Sequence, residues 1–169
     1  MSWRNSFAVF FLISAVLLLW IKPHAPRFSA QNGEAVGAFT VHTRTNATRS
    51  LAQLLHHRPG EITFWATWCP ACRQELPVIA RHLSPTHALI LISEGRGAET
   101  SAFLASYHIP SSYSVYDPSG RLFSLFEVTT LPTSYFVNAS GHIVSKVVGP
   151  LSPTLLQQNL AQARRFSQR

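Results

Sequence analysis

The chain has very few cysteines: two among its 169 residues, Cys69 and Cys72. A tetrahedral zinc site would need two further ligands, which would have to come from histidines or carboxylates at no recognisable spacing. A structural bridge across two intervening residues closes a small loop and therefore stabilises a fold little. Redox chemistry is the favoured role of this pair, and metal binding stays open as the alternative.

Acidic residues are also scarce, 7 against 14 lysines and arginines, which gives a formal net charge of +7. The positive charge is scattered, and only Arg164 and Arg165 form a cluster. Because nucleic-acid binding would require a basic stripe with interleaved aromatic residues, the sequence predicts no nucleic-acid partner. No internal repeat or low-complexity tract is visible, and the 46% apolar content suffices for the core of one domain with an appendage.

The apolar run at residues 7–21 is interrupted only by Ser14, and it predicts a membrane anchor or signal segment over residues 1–21. No good small-x-small cleavage site follows it, which favours an uncleaved anchor. Residues 22–36 are rich in Pro, Ala, Ser, Gln, Asn and Gly and predict a linker, so the folded domain is expected over residues 37–169. Charges flank the apolar run on both sides, and the positive-inside rule therefore leaves its orientation open.

The two cysteines lie between a predicted strand and a predicted helix. Residues 61–66 form a short apolar run with β-branched and aromatic residues, and residues 73–76 are mostly strong helix formers. This order places Cys69 at a helix start, where unpaired backbone N–H groups and the positive end of the helix dipole favour a thiolate. Cys69 is thus the predicted nucleophile, and Cys72, on the same helix face, can attack a mixed disulfide formed at Cys69.

The rest of the domain alternates strands and helices and then ends in a hairpin and a helix. The expected elements are strands at 38–43, 61–66, 88–93 and 114–116, helices at 50–55, 72–83, 99–107 and 121–126, a hairpin of 134–137 with 143–148, and a closing helix from Pro153 to about Arg165. The continuous apolar run at 88–93 is typical of a parallel strand buried on both faces. The pattern as a whole is α/β.

At this point the sequence resembles a known family. The strand, the Trp68–Cys72 motif, a helix interrupted by Pro77 and the Thr130–Thr133 segment before a hairpin resemble the thioredoxin fold over about residues 38–165. The run FWATWCPACRQELP is similar to the membrane-anchored TlpA/ResA/DsbE (CcmG) proteins of the bacterial periplasm. The resemblance implies a central mixed sheet flanked by helices, with an N-terminal strand extension and membrane segment. It also implies a redox-active Cys69–Cys72 disulfide with no other cofactor and no metal.

The resemblance further implies which residues bind substrate. By matching position, Pro132 is the expected cis-proline facing the cysteine pair, and the backbone of Leu131 is expected to pair with an extended substrate segment. Trp68 is expected to form an apolar wall beside Cys69, with Pro70 and Ala71 completing the docking surface between the cysteines. Trp65, on the strand itself, is expected in the core.

Glu75 is the one acidic residue expected to take part in the chemistry. It follows Cys72 by three residues on the helix, and the family that the chain resembles carries a glutamate there, so Glu75 is expected to accept the Cys72 proton. The alternative is an exposed acid in the first helical turn, favoured by the dipole. Ordinary thioredoxins carry a buried aspartate on the preceding strand where this chain has Thr63, and that departure strengthens the case for Glu75.

The function implied by the resemblance is a protein-disulfide reductase tethered to the bacterial inner membrane through residues 7–21, with its domain facing the periplasm. Cytochrome c maturation or reduction of metal-site cysteines would supply the substrate. Because that compartment is oxidising, a membrane electron donor of the DsbD or CcdA type is an implied partner. Two alternatives stay open: an ScsD-like disulfide oxidoreductase in copper-stress defence, and a Cu(I) or haem-delivery protein that uses Cys69 and Cys72 as ligands.

Overall fold

A computed structural model of the chain describes residues 30–37, 39–43, 47–95 and 97–167. The predicted membrane segment, residues 1–21, and the first part of the predicted linker lie outside these ranges. Among the residues inside them, no helix combines the length and the apolar character needed to cross a bilayer.

The described chain forms a seven-stranded sheet and five α-helices. The strands are β1 (Thr40–Thr43), β2 (Thr48–Ser50), β3 (Gly60–Trp65), β4 (Ala88–Ser93), β5 (Ser114–Tyr116), β6 (Thr133–Val137) and β7 (Ile143–Val148). The helices are α1 (Leu51–Leu55), α2 (Pro70–Arg81), α3 (Gly97–Ala105), α4 (Arg121–Leu125) and α5 (Pro153–Arg165), with a short 3₁₀ turn at Ser111–Tyr113. Each predicted strand and helix is present, and β2 is a short addition that the pattern did not predict.

The sheet is mixed, as predicted, with strand order β2-β1-β5-β4-β3-β6-β7. β3, β4 and β5 run parallel at its centre, and the other neighbours are antiparallel. All residues of β3 and β4 are buried, as expected for parallel strands covered on both faces. β3 leads directly into the cysteine segment, so the cysteines lie at the edge where the parallel strands end, the usual place for a site in such sheets.

Alternate residues of β3 face two different cores. Phe64 packs against Phe123, Phe126 and Tyr135, with ring centroids 5.0, 5.1 and 5.9 Å away. Trp65, next along the strand, faces the opposite side and packs in the cluster that contains both cysteines. The α2 side of the sheet therefore carries the chemistry, and the other side carries aromatic packing.

The predicted linker overlaps the folded domain. Ala30 and Val36 are buried, and the backbone N–H groups of Gly33 and Val36 donate to the carbonyls of Ile143 and Gly141 at 2.7 and 2.8 Å. Residues 30–36 are therefore hydrogen-bonded and packed against the domain, while the boundary predicted at residue 37 stays a prediction. Pro- and Gly-rich composition is typical of linkers, but it also suits an irregular segment whose hydrogen bonds are made to a neighbouring hairpin.

Helix α3 begins and ends two residues earlier than predicted. It ends at Ala105 because His108 adopts a left-handed conformation, with φ of 58°, and the Ile109 N–H returns to the Leu104 carbonyl at 3.0 Å. Such a left-handed residue ends a helix by supplying donors to its last carbonyls. A histidine at that position is a weaker stop signal than glycine, so the pattern placed the end at Tyr107.

Candidate active site

Cys69 is the N-cap of α2, as the sequence predicts. Its Sγ accepts a hydrogen bond from the backbone N–H of Cys72 at 3.1 Å, and Pro70 occupies the first helical turn, where no hydrogen-bonded N–H is required. The two cysteines are joined by a disulfide, with Cα atoms 5.3 Å apart. On reduction, the same N–H and the helix dipole stabilise a Cys69 thiolate.

An exposed indole lies next to this buried disulfide. Cys69 and Cys72 are 3% and 1% exposed, whereas Trp68 is 68% exposed and Trp65 is fully buried. The expected division between a surface Trp68 and a core Trp65 is confirmed. Pro70 is exposed beside Trp68, so an apolar surface adjoins the disulfide.

Arg73, which no pattern in the sequence singles out beyond its place next to the motif, holds the loop before Cys69. Its guanidinium donates from Nε and Nη2 to the Thr67 carbonyl at 3.1 and 2.9 Å and lies 5.3 Å from the centre of the Phe103 ring. Phe103 of α3 in turn stacks on Trp65 at 5.8 Å. These contacts join α2, α3 and the loop, so the position of Cys69 is set by three elements.

The Leu131–Pro132 segment comes directly before β6. The peptide bond between the two residues is cis, as predicted. Leu131 is half-buried and packs against the cluster that includes Cys69 and Cys72. The Pro132 carbonyl accepts a hydrogen bond from the Gly149 N–H at 2.9 Å, which ties this segment to the end of β7.

Glu75 lies on the buried face of α2 and is only 1% exposed. The alternative of an exposed acid is therefore wrong. Its Oε1 accepts a hydrogen bond from the Ser134 hydroxyl at 3.3 Å, and its Oε2 makes no hydrogen bond of normal geometry to the described residues. Burial, followed by the charge of Glu61, raises the pKa of Glu75 to about 8, against smaller opposing effects of Ser134 and the nearby Leu151 amide. Glu75 follows Cys72 by one helical turn, a spacing from which a buried carboxyl can serve as proton acceptor for the thiol.

A second buried acid, Glu61 on β3, was missed by the sequence analysis. It is 1% exposed, and its Oε1 accepts a hydrogen bond from the Thr63 hydroxyl at 2.5 Å. Burial raises the pKa of Glu61 to about 7, while the Thr63 and Ser134 hydroxyls oppose the rise. The signal was available: an acid inside a short apolar strand is rarely buried without a partner, and Thr63 follows on the same face.

Metal ligands are not grouped elsewhere in the described part of the chain, where no three His, Cys, Asp or Glu side chains converge. The adjacent pair His56 and His57 lies exposed at a turn, both residues with positive φ. Cys69 and Cys72, once reduced, are the side chains that could offer two soft ligands to a metal. In the oxidised form the sulfurs are bonded to each other.

The chain is similar in sequence to known thiol-disulfide oxidoreductases. The model of the AhpC/TSA family matches residues 21–146. The thiol:disulfide interchange protein DsbE of Pseudomonas aeruginosa is 30% identical over 156 residues, which cover 89% of this chain and 86% of DsbE. The thiol-disulfide oxidoreductase ResA of Bacillus subtilis is 25% identical over 117 residues, 66% of this chain and 65% of ResA.

Solved structures support the fold. The structure of MTB DsbF, in mixed oxidised and reduced forms, superposes with a TM-score of 0.67 at 24% identity, covering 78% of this chain and 99% of DsbF. StoA of Bacillus subtilis superposes with a TM-score of 0.57 at 26% identity, covering 75% of this chain and 98% of StoA. The predicted thioredoxin-like α/β architecture is confirmed.

Proposed function

Because the chain belongs to the AhpC/TSA family, as a thioredoxin-like thiol-disulfide oxidoreductase of the DsbE/ResA/StoA type, we propose that it works as a dithiol reductase of protein disulfides. The observation that carries the proposal is the position of Cys69 at the start of α2, with the Cys72 N–H directed at its sulfur at 3.1 Å. That position favours the thiolate, which is the attacking form.

The reaction proceeds in two exchanges. The Cys69 thiolate attacks one sulfur of the substrate disulfide, and the other substrate sulfur leaves as a thiolate that takes up a proton. Cys72 then gives its proton to Glu75 and attacks the Cys69 sulfur, which expels the second substrate thiolate. The substrate gains two electrons from the cysteine pair, and its two thiolates take up protons from solvent; the domain is left with the Cys69–Cys72 disulfide and with the Cys72 proton on Glu75.

Substrate is proposed to lie between the exposed Trp68 and the Leu131–Pro132 segment, against Pro70 and Ala71. The Leu131 backbone precedes β6 and packs beside the cysteines, so an extended peptide can pair with it as an added strand. The exposed Trp68 ring gives apolar contact that does not depend on one peptide sequence. This combination suits a protein substrate better than a small disulfide.

The setting proposed for this reaction is the outer face of a bacterial inner membrane, with residues 7–21 in the bilayer. The support is the apolar N-terminal run and the match to DsbE. Cysteines awaiting haem attachment or metal insertion are the proposed substrates. In an oxidising compartment the spent disulfide needs a dedicated reductant, so a membrane donor of the DsbD or CcdA type is proposed as the second partner.

Trapping tests the proposal directly. Cys72→Ala in the full-length, membrane-expressed chain should accumulate mixed disulfides through Cys69, because the resolving thiol is absent. Non-reducing electrophoresis and mass spectrometry would identify the partners, and the Cys69→Ala, Cys72→Ala double variant is the matched control. Absence of any covalent partner in the single variant would count against the whole scheme.

Two measurements separate the alternatives. Equilibration with glutathione gives the reduction potential, and a value near that of the strong oxidant DsbA, about −120 mV, would contradict the reductase direction and favour an ScsD-like role. Insulin reduction in the presence of dithiothreitol should be accelerated by the chain. A Cu(I) or haem carrier would give no rate above background.

A further inference from the structure

Four oxygen-bearing side chains form a continuous chain beneath α2, and the reaction described above uses only one of them. They are Glu61, Thr63, Ser134 and Glu75, each at most 1% exposed. Successive oxygens are 2.5, 2.8 and 3.3 Å apart, from Glu61 through the two hydroxyls to Glu75. We call these four residues the carboxyl–hydroxyl chain.

The sheet register explains why these residues meet. Thr63 of β3 is the antiparallel partner of Ser134 of β6, so the two hydroxyls face each other. Glu61, two residues before Thr63, lies on the same face, and α2 brings Glu75 onto that face from above. The arrangement therefore rests on regular elements and not on a loop.

The carboxyl–hydroxyl chain needs more protons than its two hydroxyls provide. Three oxygen–oxygen contacts need three protons, and Thr63 and Ser134 supply one each. If both carboxyls were ionised, one contact would bring two lone pairs together in a buried site, which is strongly unfavourable. At least one proton must therefore lie on Glu61 or Glu75.

We propose that Glu61 is a second proton-holding residue of the redox site, and that proton transfer along the carboxyl–hydroxyl chain sets whether Glu75 meets Cys72 as a base or as an acid. In one arrangement Glu61 is protonated and donates to Thr63, Thr63 to Ser134, and Ser134 to a Glu75 carboxylate. In the other arrangement, Glu75 is protonated and donates to Ser134, Ser134 to Thr63, and Thr63 to a Glu61 carboxylate. Glu61 acts through Glu75 and is a positioning residue; the inference rests on the proposed function.

The resolving step begins from the first of these arrangements. With Glu61 protonated, the Glu75 carboxylate takes the Cys72 proton as the Cys72 sulfur bonds to Cys69, which leaves both carboxyls protonated. The two electrons come from the cysteine sulfurs, and the chain then holds one proton more than before. When a donor dithiol later reduces the disulfide, Cys72 leaves as a thiolate and takes that proton back.

The charges around the chain favour a shared proton. Among the described residues, the charged group that acts on Glu75 is Glu61. Lys146 of β7 lies over the Tyr135 ring on the opposite face, and His82, just after α2, bonds to the Val78 carbonyl and the Gln157 side chain. Arg164 of α5 acts on His87. No cation among the described residues acts on either carboxyl; burial raises the pKa of Glu61 to about 7, and burial together with repulsion by Glu61 raises the pKa of Glu75 to about 8.

The test is a titration of the glutamate carboxyl carbons by NMR in the full-length chain, held in detergent micelles, in both oxidised and reduced forms. In the wild type, Glu61 and Glu75 should titrate in two steps that both resonances report, because the steps belong to the pair. In Glu61→Gln, Glu75 should show one step, lower than the upper wild-type step by about one pH unit or more. In the reduced form, the pH midpoint of Cys72 alkylation should shift with it.

Two further variants complete the experiment. Glu34→Gln changes an exposed glutamate and should leave both steps in place. Ser134→Ala removes the hydroxyl between the carboxyls and should raise the pKa of both glutamates together. This variant tests the proposal even if Glu61→Gln does not fold. The proposal is overturned if Glu75 titrates identically in wild type and Glu61→Gln, or if Ser134→Ala moves Glu75 alone. Failure to reduce insulin would overturn only the proposed function, since the titration does not depend on electron flow.

Discussion

Adjacent residues of β3 face two regions of the molecule that differ in kind. On one face, Phe64 belongs to an aromatic cluster with Phe123, Phe126 and Tyr135. On the other face, Glu61 and Thr63 belong to the carboxyl–hydroxyl chain beneath the cysteine helix. Both faces are fully buried, so burial alone does not distinguish the packing region from the chemical one.

The difference between the two regions lies in what burial does. Burying an aromatic side chain stabilises the fold by roughly 2–3 kcal/mol, and edge-to-face ring pairs add to that. Burying a carboxyl costs free energy unless it is protonated or hydrogen-bonded. Burial of Glu61 and Glu75 therefore costs free energy on the side of the sheet that carries the redox site, whereas burial of the aromatic rings on the other side stabilises the fold. The three predictions below act on one face at a time.

Phe64→Ala should have the largest effect, a loss of about 3–5 kcal/mol in the free energy of unfolding, because it removes a ring at the centre of the aromatic cluster. Urea denaturation measures it. Val148→Ala, at an exposed position of β7, is the control and should stay within about 0.5 kcal/mol. A loss under about 1 kcal/mol would contradict the central place of Phe64 in the aromatic cluster. A change in the pH profile of cysteine alkylation would show that the two faces are coupled.

The carboxyl–hydroxyl chain should make the fold less stable as pH rises. A carboxyl whose pKa is higher in the folded chain stabilises it fully below the unfolded pKa of about 4.5. That contribution is lost as the pH rises through about 7 for Glu61 and about 8 for Glu75. Between about pH 6 and pH 8, the free energy of unfolding should fall by roughly 3–4 kcal/mol.

Urea midpoints at several pH values check this expectation. His87, whose pKa is lowered chiefly by burial, acts in the opposite sense at the acidic end. Subtracting the curve of the Glu61→Gln, Glu75→Gln double variant removes this and other common contributions. If the wild-type curve stayed parallel to that of the double variant, the two buried carboxyls would not lower the free energy of unfolding as pH rises.

The aromatic face and the order of elements were predictable from sequence, because they depend on local patterns. Alternating or continuous apolar runs gave the strands, and the serine caps Ser50 and Ser152 mark the starts of α1 and α5. The cis bond before Pro132 was predicted only through the family resemblance. Local pattern and family together thus located the cysteines, the helix start and the cis Leu131–Pro132 bond.

The carboxyl–hydroxyl chain was not predictable in the same way. Glu75 was found from its spacing to Cys72, but its burial depends on packing of α2 against β3 and β6. The Thr63–Ser134 contact joins residues 71 positions apart and exists only in one strand register. The pattern predicts Glu61 only as part of an apolar strand, because its link to Glu75 runs through Thr63 and the distant Ser134. Long-range register is what the sequence pattern lacks.

Glu75→Gln acts on the chemical face without emptying it, and it should slow resolution of the mixed disulfide rather than unfold the chain. Removing a positioned proton acceptor costs about 100-fold in the rate of the assisted step, the lower end of the usual range. Glutamine nearly matches the shape of glutamate and carries no charge, so the free energy of unfolding at about pH 8 should stay level or rise. Single-turnover reaction of the reduced chain with a peptide disulfide, followed by quenching and separation of the mixed disulfide, measures the step.

Glu34→Gln, at an exposed position beside the hairpin between β6 and β7, provides the matched control and should leave the rate of resolution unchanged. The dependence of the resolution rate on pH distinguishes a chemical role of Glu75 from a structural one. In the wild type the resolution rate should follow the ionisation of the carboxyl pair, whereas in Glu75→Gln it should follow only the intrinsic ionisation of the Cys72 thiol, because hydroxide and water are then its only acceptors. If both chains gave the same profile, Glu75 would belong with Phe64 as a packing residue, and the contrast between the two faces of β3 would reduce to one of polarity.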